Sequence, residues 1–373
     1  MQYIFILGRN PELSKAEIFS YLYKEGIKTL NWEIKANGLF IELDKNIPDR
    51  TIDRLGGTIS IGRVISNGSI NGVLKELETK NLYLGTSNKL NYLVWDFCGE
   101  ETEDIRDYLK KRFKEERLKA TEKRAGNFME MQSGESVRNV SHGKLIDVEY
   151  FFFKGKEFYF GEIIEKSNYD EIEKRDMNKP FRRSDLAISP RLAKIMINLS
   201  RVKNGERLLD IFCGIGVILQ EALLQGIKVI GIDKDARAIN GAMENLKWGK
   251  FNKENYSLIN EDSIKISISK VHGVATEPDL GEILKKAPNA EKIRSMLSDY
   301  ENLMARVLRN IENQVSGRIV FTAPLIKTGK GRVSCNIERI LERTRLGVAE
   351  GFPIPEYREN QIVGRNIFVL EKR

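Results

Sequence analysis

LLDIFCGIGVILQEAL, residues 208–223, reads as a buried strand ending at Asp210, a turn carrying Gly214 and Gly216, and a helix. Glycines at such a turn have no Cβ, so a ligand can lie against the backbone and the helix N-terminus. A dinucleotide fingerprint would place a third glycine where this chain has Leu219, so the tight packing suited to a pyrophosphate is missing. Working outward, the same strand-then-helix rhythm continues. KVIGID (228–233) is a second strand and ARAINGAMENLKWG (236–249) a second helix. YSLINED (256–262) and VHGVATEP (271–278) bring a third and a fourth strand. A long helix follows, with Ile293, Met296, Leu297, Tyr300, Leu303, Val307 and Leu308 at helical spacing, a stripe that reads as core. GRIVFTAP and RNIFVLEK supply later strands, and RLAKIMINL a helix before the first. Strict alternation predicts a doubly wound α/β domain with a mainly parallel sheet, starting near residue 186.

Acidic residues stand where the first three of these strands end. Asp233 comes 23 residues after Asp210, where a carboxylate can accept both hydroxyls of a ribose. Asp262 follows the third strand, in reach of an adenine amino group. Three acids above a glycine turn suit S-adenosylmethionine, which offers hydroxyls and amines but no phosphate. An ordinary strand-to-helix turn with capping acids is the plainer alternative.

The first half of the chain is built differently. YIFIL (3–7) and GLFIEL (38–43) read as strands, TIDRLGG as a short helix ending at glycines, and Ser14 with Glu17 as a capping box. A small split βαβ domain fits residues 1–60. Residues 61–165 read as a second unit: a helix around 73–80, the strand NYLVWDF, a basic helix, then LIDVEYFFF and EFYFGEII joined by a tight turn. Residues 166–185 are polar and nearly free of periodicity, a linker rich in arginine. Between Arg106 and Arg124 nine basic residues face four acidic ones, while Ile105, Tyr108, Leu109 and Phe113 recur at helical spacing. One face therefore packs and the other is basic, either a solvated surface or a nucleic-acid contact.

Composition bounds the rest. At 373 residues the chain holds roughly two to three domains. A 41% apolar share with 30 glycines excludes wholesale disorder, and no uninterrupted apolar run is long enough to span a bilayer. MQYIFILGRNPELSK lacks a basic start and a cleavage site, so it reads as a first strand, not a signal peptide. Three cysteines and two histidines cannot assemble a Cys/His zinc cluster, and the expectation is a cytoplasmic chain with reduced thiols and no metal. The net charge of +8 favours a nucleic-acid partner only modestly. His142 and His272 have no visible partner in the pattern, and Cys213 reads as a packing residue of the turn.

DIFCGIGVILQEA resembles the cofactor motif of nucleic-acid base N-methyltransferases, especially the THUMP-domain tRNA guanosine N2-methyltransferases of archaea and eukaryotes. FILGRNPELSKAEI is similar to that family's opening strand and turn. Tyr169 to Arg183, with Arg175-Asp176 and Pro180-x-Arg182, resembles its link between domains, and AISPRLAKIMINL the helix before the cofactor strand. The resemblance implies a ferredoxin-like domain over 1–60, a THUMP RNA-binding domain over 61–165, a linker over 166–185 and a Rossmann-like methyltransferase domain over 186–373. It implies S-adenosylmethionine held by Ser189, Pro190, Asp210, Phe212, Cys213, Gly214, Gly216, Asp233 and Asp262. It also implies tRNA as partner, contacted by Lys110, Lys111, Lys114, Lys123, Arg124, Arg175, Arg182 and Arg183, and allows a small zinc-binding activator subunit.

The departure comes at the motif that is Asp-Pro-Pro-Tyr in the family, where this chain has Glu277-Pro278-Asp279-Leu280. A base amino group is a poor nucleophile because its lone pair is delocalised into the ring. An acid and a neighbouring backbone carbonyl accept its two hydrogens and turn the lone pair toward the methyl group. Glu277 keeps an acceptor, one methylene longer, and Pro278 the rigid turn. Leu280 can cover a flipped base but cannot stack on it as tyrosine does, and Asp279 adds a second carboxylate. The expectation is methyl transfer to N2 of a tRNA guanosine, at position ten by resemblance. The rivals are a methyltransferase on ribosomal RNA or DNA, and a non-catalytic RNA-binding protein that keeps the cofactor fold as scaffold.

Overall fold

Short apolar runs divided by turns build the N-terminal part of the chain. Strand β1 (Gln2–Leu7) leads into helix α1 (Pro11–Lys24), followed by β2 (Thr29–Lys35), β3 (Gly38–Leu43), β4 (Thr58–Gly68) and helix α2 (Ile70–Leu77). Then come β5 (Lys89–Phe97), helix α3 (Thr102–Glu115), β6 (Lys119–Lys123), β7 (Ala125–Glu130), β8 (Ser136–Val140), β9 (Val148–Lys154) and β10 (Phe158–Lys166). The computed structural model describes residues 1–123, 125–130, 136–140, 146–182, 188–281, 284 and 286–373. It divides into two units, residues 1–15 with 27–169 and residues 16–26 with 170–373, so α1 crosses the division.

In the first unit, eight strands among the described residues form one sheet in the order β2-β3-β1-β4-β10-β9-β5-β6. The division expected after residue 60 falls inside β4, which pairs with β1 on one side and β10 on the other. The run YFFF (150–153) has no polar alternation because this part of β9 is covered on both faces. Tyr150 and Phe152 join Leu109 and Phe113 of α3 in one core cluster, and Phe151 and Phe153 join Ile4, Phe40 and Trp95 in another.

Two local expectations change. Asn10, not Ser14, caps α1: the Leu13 N–H donates to Asn10 Oδ1 at 3.2 Å, and Ser14 lies inside the first turn with its hydroxyl donating to the Asn10 carbonyl at 2.8 Å. Pro11 sets this start, since its fixed φ suits a first helical position. The segment 166–185, expected as linker, carries helix α4 (Tyr169–Met177). Asp170 and Glu171 in its first turn and Lys174 and Arg175 in its last complement the helix dipole, a signal that apolar periodicity does not register.

The second unit has the alternation expected of it. Helix α5 (Pro190–Leu199) precedes β11 (Arg207–Asp210), α6 (Val217–Leu224), β12 (Lys228–Asp233), α7 (Ala236–Trp248), β13 (Tyr256–Asn260) and β14 (Gly273–Thr276). Helix α8 (Ala290–Ile311), β15 (Ile319–Thr328), β16 (Gly331–Ser334), α9 (Ile337–Leu341), β17 (Leu346–Val348), β18 (Ile354–Glu356) and β19 (Val363–Lys372) complete it. The sheet runs β13-β12-β11-β14-β15-β19-β17, parallel from β13 to β15 and antiparallel at β19. It is a doubly wound, Rossmann-like α/β fold. The order reverses between β11 and β14, the switch point above which such sheets form a crevice. Tyr300, Met304, Val307, Leu308 and Ile311 of α8 pack on Leu209, Val274, Ile319 and Phe321 of the sheet. Leu219 fills the space over Gly231, where a Cβ would come within 2.5 Å of its Cδ1.

Candidate active site

The crevice at the switch point is a cleft of about 630 Å³, within the usual range for a small-molecule site. Asp210, Asp233, Asp262, Glu277 and Asp279 line it, with Phe212, Ile188 and Ile264 among its apolar walls. All lie in the second unit.

The β11 turn is built as its glycines suggest. Gly214 has φ +50°, and a Cβ there would meet nothing within 4 Å, so its bare backbone opens on the cleft. Gly216, with φ +84°, instead permits a close approach, since its Cβ would meet that of Ala242 at 3.3 Å. Gly214 thus serves ligand access and Gly216 serves packing. The Gly214 N–H donates to Asp233 Oδ2 and the Asp235 N–H to Asp233 Oδ1, each at 2.9 Å, which fixes the Asp233 carboxylate at the strand end. Asp262 lies two residues beyond β13, and its Oδ1 accepts the Ile264 N–H at 3.1 Å.

Asp210 is only 1% exposed. Its Oδ1 accepts the Thr276 hydroxyl at 2.6 Å and the Phe212 N–H at 3.3 Å. Burial pushes its carboxyl up to about 7, and the nearby Asp233 and Glu277 charges add to that rise against the two hydrogen bonds. Cys213 also lines the cleft, but burial pushes its thiol up, which suits packing rather than nucleophilic attack.

Glu277 and Pro278 follow β14 directly. The Glu277 side chain is 10% exposed and is held from across the sheet by Arg365 of β19. Arg365 Nε donates to Glu277 Oε1 at 2.5 Å and Nη2 to Oε2 at 3.4 Å. The Thr322 hydroxyl donates to Oε1 at 3.4 Å. The Glu277 charge pushes the Arg365 guanidinium up, so the arginine stays protonated. Pro278 is buried, while the exposed Asp279 forms a local turn in which its Oδ1 accepts the Gly281 N–H at 2.9 Å. Leu280 lines the cleft and leans on the apolar core.

Several expected residues stand elsewhere. Ser189 and Pro190 are not among the cleft's lining residues: Ser189 caps α5, accepting the Leu192 N–H at 3.2 Å, and its neighbour Ile188 lines the cleft instead. Arg175 is committed to Glu221 of α6, with Nε and Nη2 donating at 3.3 and 3.4 Å, so its charge is neutralised within the unit. Arg182 is exposed, with Nη2 near Met177 Sδ at 3.2 Å. On α3, Lys110, Lys111 and Lys114 are exposed, and Lys123 at the end of β6 is half-buried. Arg106 is drawn to Asp96, Glu103 and Glu122, Arg112 to Glu116, and Lys110 to the exposed Asp107 at 3.4 Å. Arg124, Arg183 and His142 lie outside the described residues. His272 has a structural partner, its Nδ1 accepting the Arg207 N–H at 3.0 Å.

The sequence reading missed Arg365 and the wall formed by Gln361, Ile362 and Val363. Arg332 shapes that wall: its guanidinium stacks on Tyr357 at 4.1 Å and donates to the carbonyls of Leu325, Arg358 and Gln361 at 3.2, 3.3 and 2.6 Å. A lone arginine at the start of an apolar strand was the available signal, but only the β15–β19 register, which sets Arg365 opposite Pro324, brings it to Glu277. Among the described residues, no group of three His, Cys, Asp or Glu is arranged to hold a metal ion, and no helix is long and apolar enough to cross a membrane.

Residues 180–323 match the family profile described as UPF0020, RMKL-like, methyltransferase domain. A probable tRNA (guanine(10)-N2)-dimethyltransferase of Methanothermococcus thermolithotrophicus is 36% identical over 116 residues, which cover 29% of this chain and 72% of the relative. The tRNA (guanine(10)-N2)-dimethyltransferase of Pyrococcus abyssi is 24% identical over 87% of this chain and 88% of its own length. That of Methanothermobacter thermautotrophicus is 38% identical, but the match spans only 32% of this chain and 34% of the relative. Among solved structures, TrmN from Thermus thermophilus aligns over all of both chains with a TM-score of 0.52 and 14% identity, a likeness of fold.

Proposed function

The chain belongs to the family of tRNA (guanine(10)-N2)-methyltransferases, and from that premise we propose that it transfers a methyl group from S-adenosylmethionine to the exocyclic N2 of the guanosine at position ten in tRNA. The observation that carries this reading is the acid-lined cleft in which Gly214 opens beside Asp233 while Glu277-Pro278 stands at the neighbouring strand end.

The cleft suits the cofactor. Asp233 has each oxygen tied by one backbone N–H, which leaves each a lone pair for a ribose hydroxyl. Asp262 sits at hand for an amino group of the adenine, and Gly214 lets the ligand approach the backbone. The acids suit a cationic, phosphate-free ligand. When bound, the cofactor supplies an electrophilic methyl whose bond to sulfur breaks as the amine lone pair forms the new C–N bond. Glu277 and the neighbouring backbone carbonyl accept the two amine hydrogens, which frees that lone pair from the ring. Pro278 keeps the turn rigid and Leu280 covers the base face. After transfer the nitrogen carries a positive charge and gives a proton to solvent.

Residues 61–165 are read as the RNA-binding THUMP part and 1–60 as a ferredoxin-like part that shares its sheet through β4, with 166–185 as their link to the catalytic domain. Support comes from the three exposed lysines of α3, a face suited to the phosphates of A-form RNA. A cytoplasmic location and a small zinc-binding activator subunit belong to the same reading, carried by the resemblance alone. Mass spectrometry of tRNA nucleosides from cells with and without the gene tests it, together with methylation of a tRNA transcript and of a second transcript with adenosine in place of the target guanosine. Loss of N2-methylguanosine species without the gene, and no transfer to the adenosine transcript, is the expected result. Unchanged nucleosides, with no transfer in vitro with or without candidate activators, overturn it.

A further inference from the structure

We propose that Arg365 is a positioning residue for methyl transfer: it clamps the Glu277 carboxylate so that one Oε2 lone pair faces the target amine. The inference rests on the methyl-transfer reading above and goes beyond it, because it explains how a glutamate can work at this position.

A glutamate has one more rotatable bond than the aspartate of the family motif, so its carboxylate would wander unless something held it. Arg365 supplies the hold from β19, with Nε on Oε1 and Nη2 on Oε2, and Thr322 adds a second donor to Oε1. A carboxylate has roughly four acceptor sites. The three donors fill both sites of Oε1 and one of Oε2. One Oε2 site remains on a side chain that lines the cleft. A target amine has two hydrogens, and that site can take one while a backbone carbonyl takes the other. The fork geometry of a guanidinium fixes both carboxylate oxygens at once, which a lysine could not do.

This arrangement makes a distinctive claim about Glu277→Gln. Beside an arginine, the amide must turn its oxygen to the guanidinium, and so its NH2 faces the amine hydrogens. Donor then meets donor. Removing the arginine releases the amide to flip and offer its oxygen instead. The removal of Arg365 should therefore partly rescue E277Q, although it harms the wild type.

Single-turnover methylation of unmodified tRNA by full-length protein tests this, with tRNA and cofactor affinities and thermal melting measured for every variant. Arg365→Met should slow transfer about tenfold to a hundredfold with both affinities within about twofold. Arg365→Lys should fall between, because it keeps the charge and loses the fork. E277Q/R365M should be faster than E277Q. A double variant no faster than E277Q, or an R365M loss that appears only in affinity or melting temperature, overturns the positioning role. If R365M does not fold, R365K and E277Q/R365K carry the same comparison. Wild-type protein that binds tRNA and cofactor yet transfers nothing sinks the methyl-transfer reading first, an outcome distinct from the double-variant result.

Discussion

Asp210 sits beneath the cleft with its carboxyl raised from 3.8 to about 7, chiefly by burial. A raised carboxyl means that the folded state holds more protons than the unfolded state between those two values. Its contribution to stability is therefore fully present below about pH 3.8 and is lost as pH rises through about 7. D210N, which keeps an acceptor for Thr276, should remove this loss, on the order of a few kcal/mol. Melting curves of ligand-free wild type and D210N across pH 4 to 8 check it: the wild-type trend should flatten in the variant. At Asp233 the expected effect is on the ligand. D233A removes the oxygens that hold the Gly214 and Asp235 N–H groups and face the ribose. It should weaken S-adenosylmethionine binding by roughly 1.5–3 kcal/mol, read by calorimetry. Unchanged affinity in a folded variant would put the ribose elsewhere. These acids were legible in the sequence because a strand's last residue is fixed by the end of an apolar run. Arg365 was not, because a side chain's partner across an antiparallel pair depends on register, which no local pattern encodes.

At the scale of elements, α3 shows what periodicity can and cannot give. Ile105, Leu109 and Phe113 are buried at the expected spacing, and Lys110, Lys111 and Lys114 point to solvent. Glu103 and Glu116 lie one turn from Arg106 and Arg112 along the helix, but the pattern could not show that Arg106 also reaches Asp96 and Glu122, which only the fold brings near. The effective face is thus smaller than the count of nine basic residues in this stretch. Reversing the charge at the three lysines should weaken tRNA binding and flatten its salt dependence by up to about three counterions. Cofactor affinity should not move. Filter binding over a salt series decides the matter: an unchanged slope would make the helix a solvated face. Helix α4 teaches the complementary lesson, since its stability comes from charges matched to the helix dipole and from buried Ile172, not from an apolar stripe.

At the scale of the whole molecule, the chain does not divide where its sequence changes character. The alternating pattern is expected to begin near residue 186, whereas the second unit comprises residues 16–26 and 170–373. Lys24, only 6% exposed, donates to Asn198 Oδ1 at 2.8 Å and Gln225 Oε1 at 2.9 Å, and Asn198 Nδ2 donates to Glu17 Oε1 at 2.8 Å. The sequence pattern puts Glu17 in a capping box with Ser14, and hydropathy alone cannot show the buried polar network that joins it to Asn198, Lys24 and Gln225. A fragment of residues 170–373 should therefore be much less stable than its length and core suggest. It would keep Asn198 and Gln225 but lose the Lys24 donor and the Glu17 acceptor, at about 1–3 kcal/mol for each hydrogen bond so removed. K24M in the full chain should reproduce part of that loss, roughly 2–5 kcal/mol for two buried acceptors deprived of this donor. Chemical denaturation of the fragment, K24M and the wild type separates the possibilities. A fragment that unfolds at the wild-type midpoint, or a K24M within about 0.5 kcal/mol of wild type, would show that the network adds nothing and that the C-terminal unit stands without the end of α1.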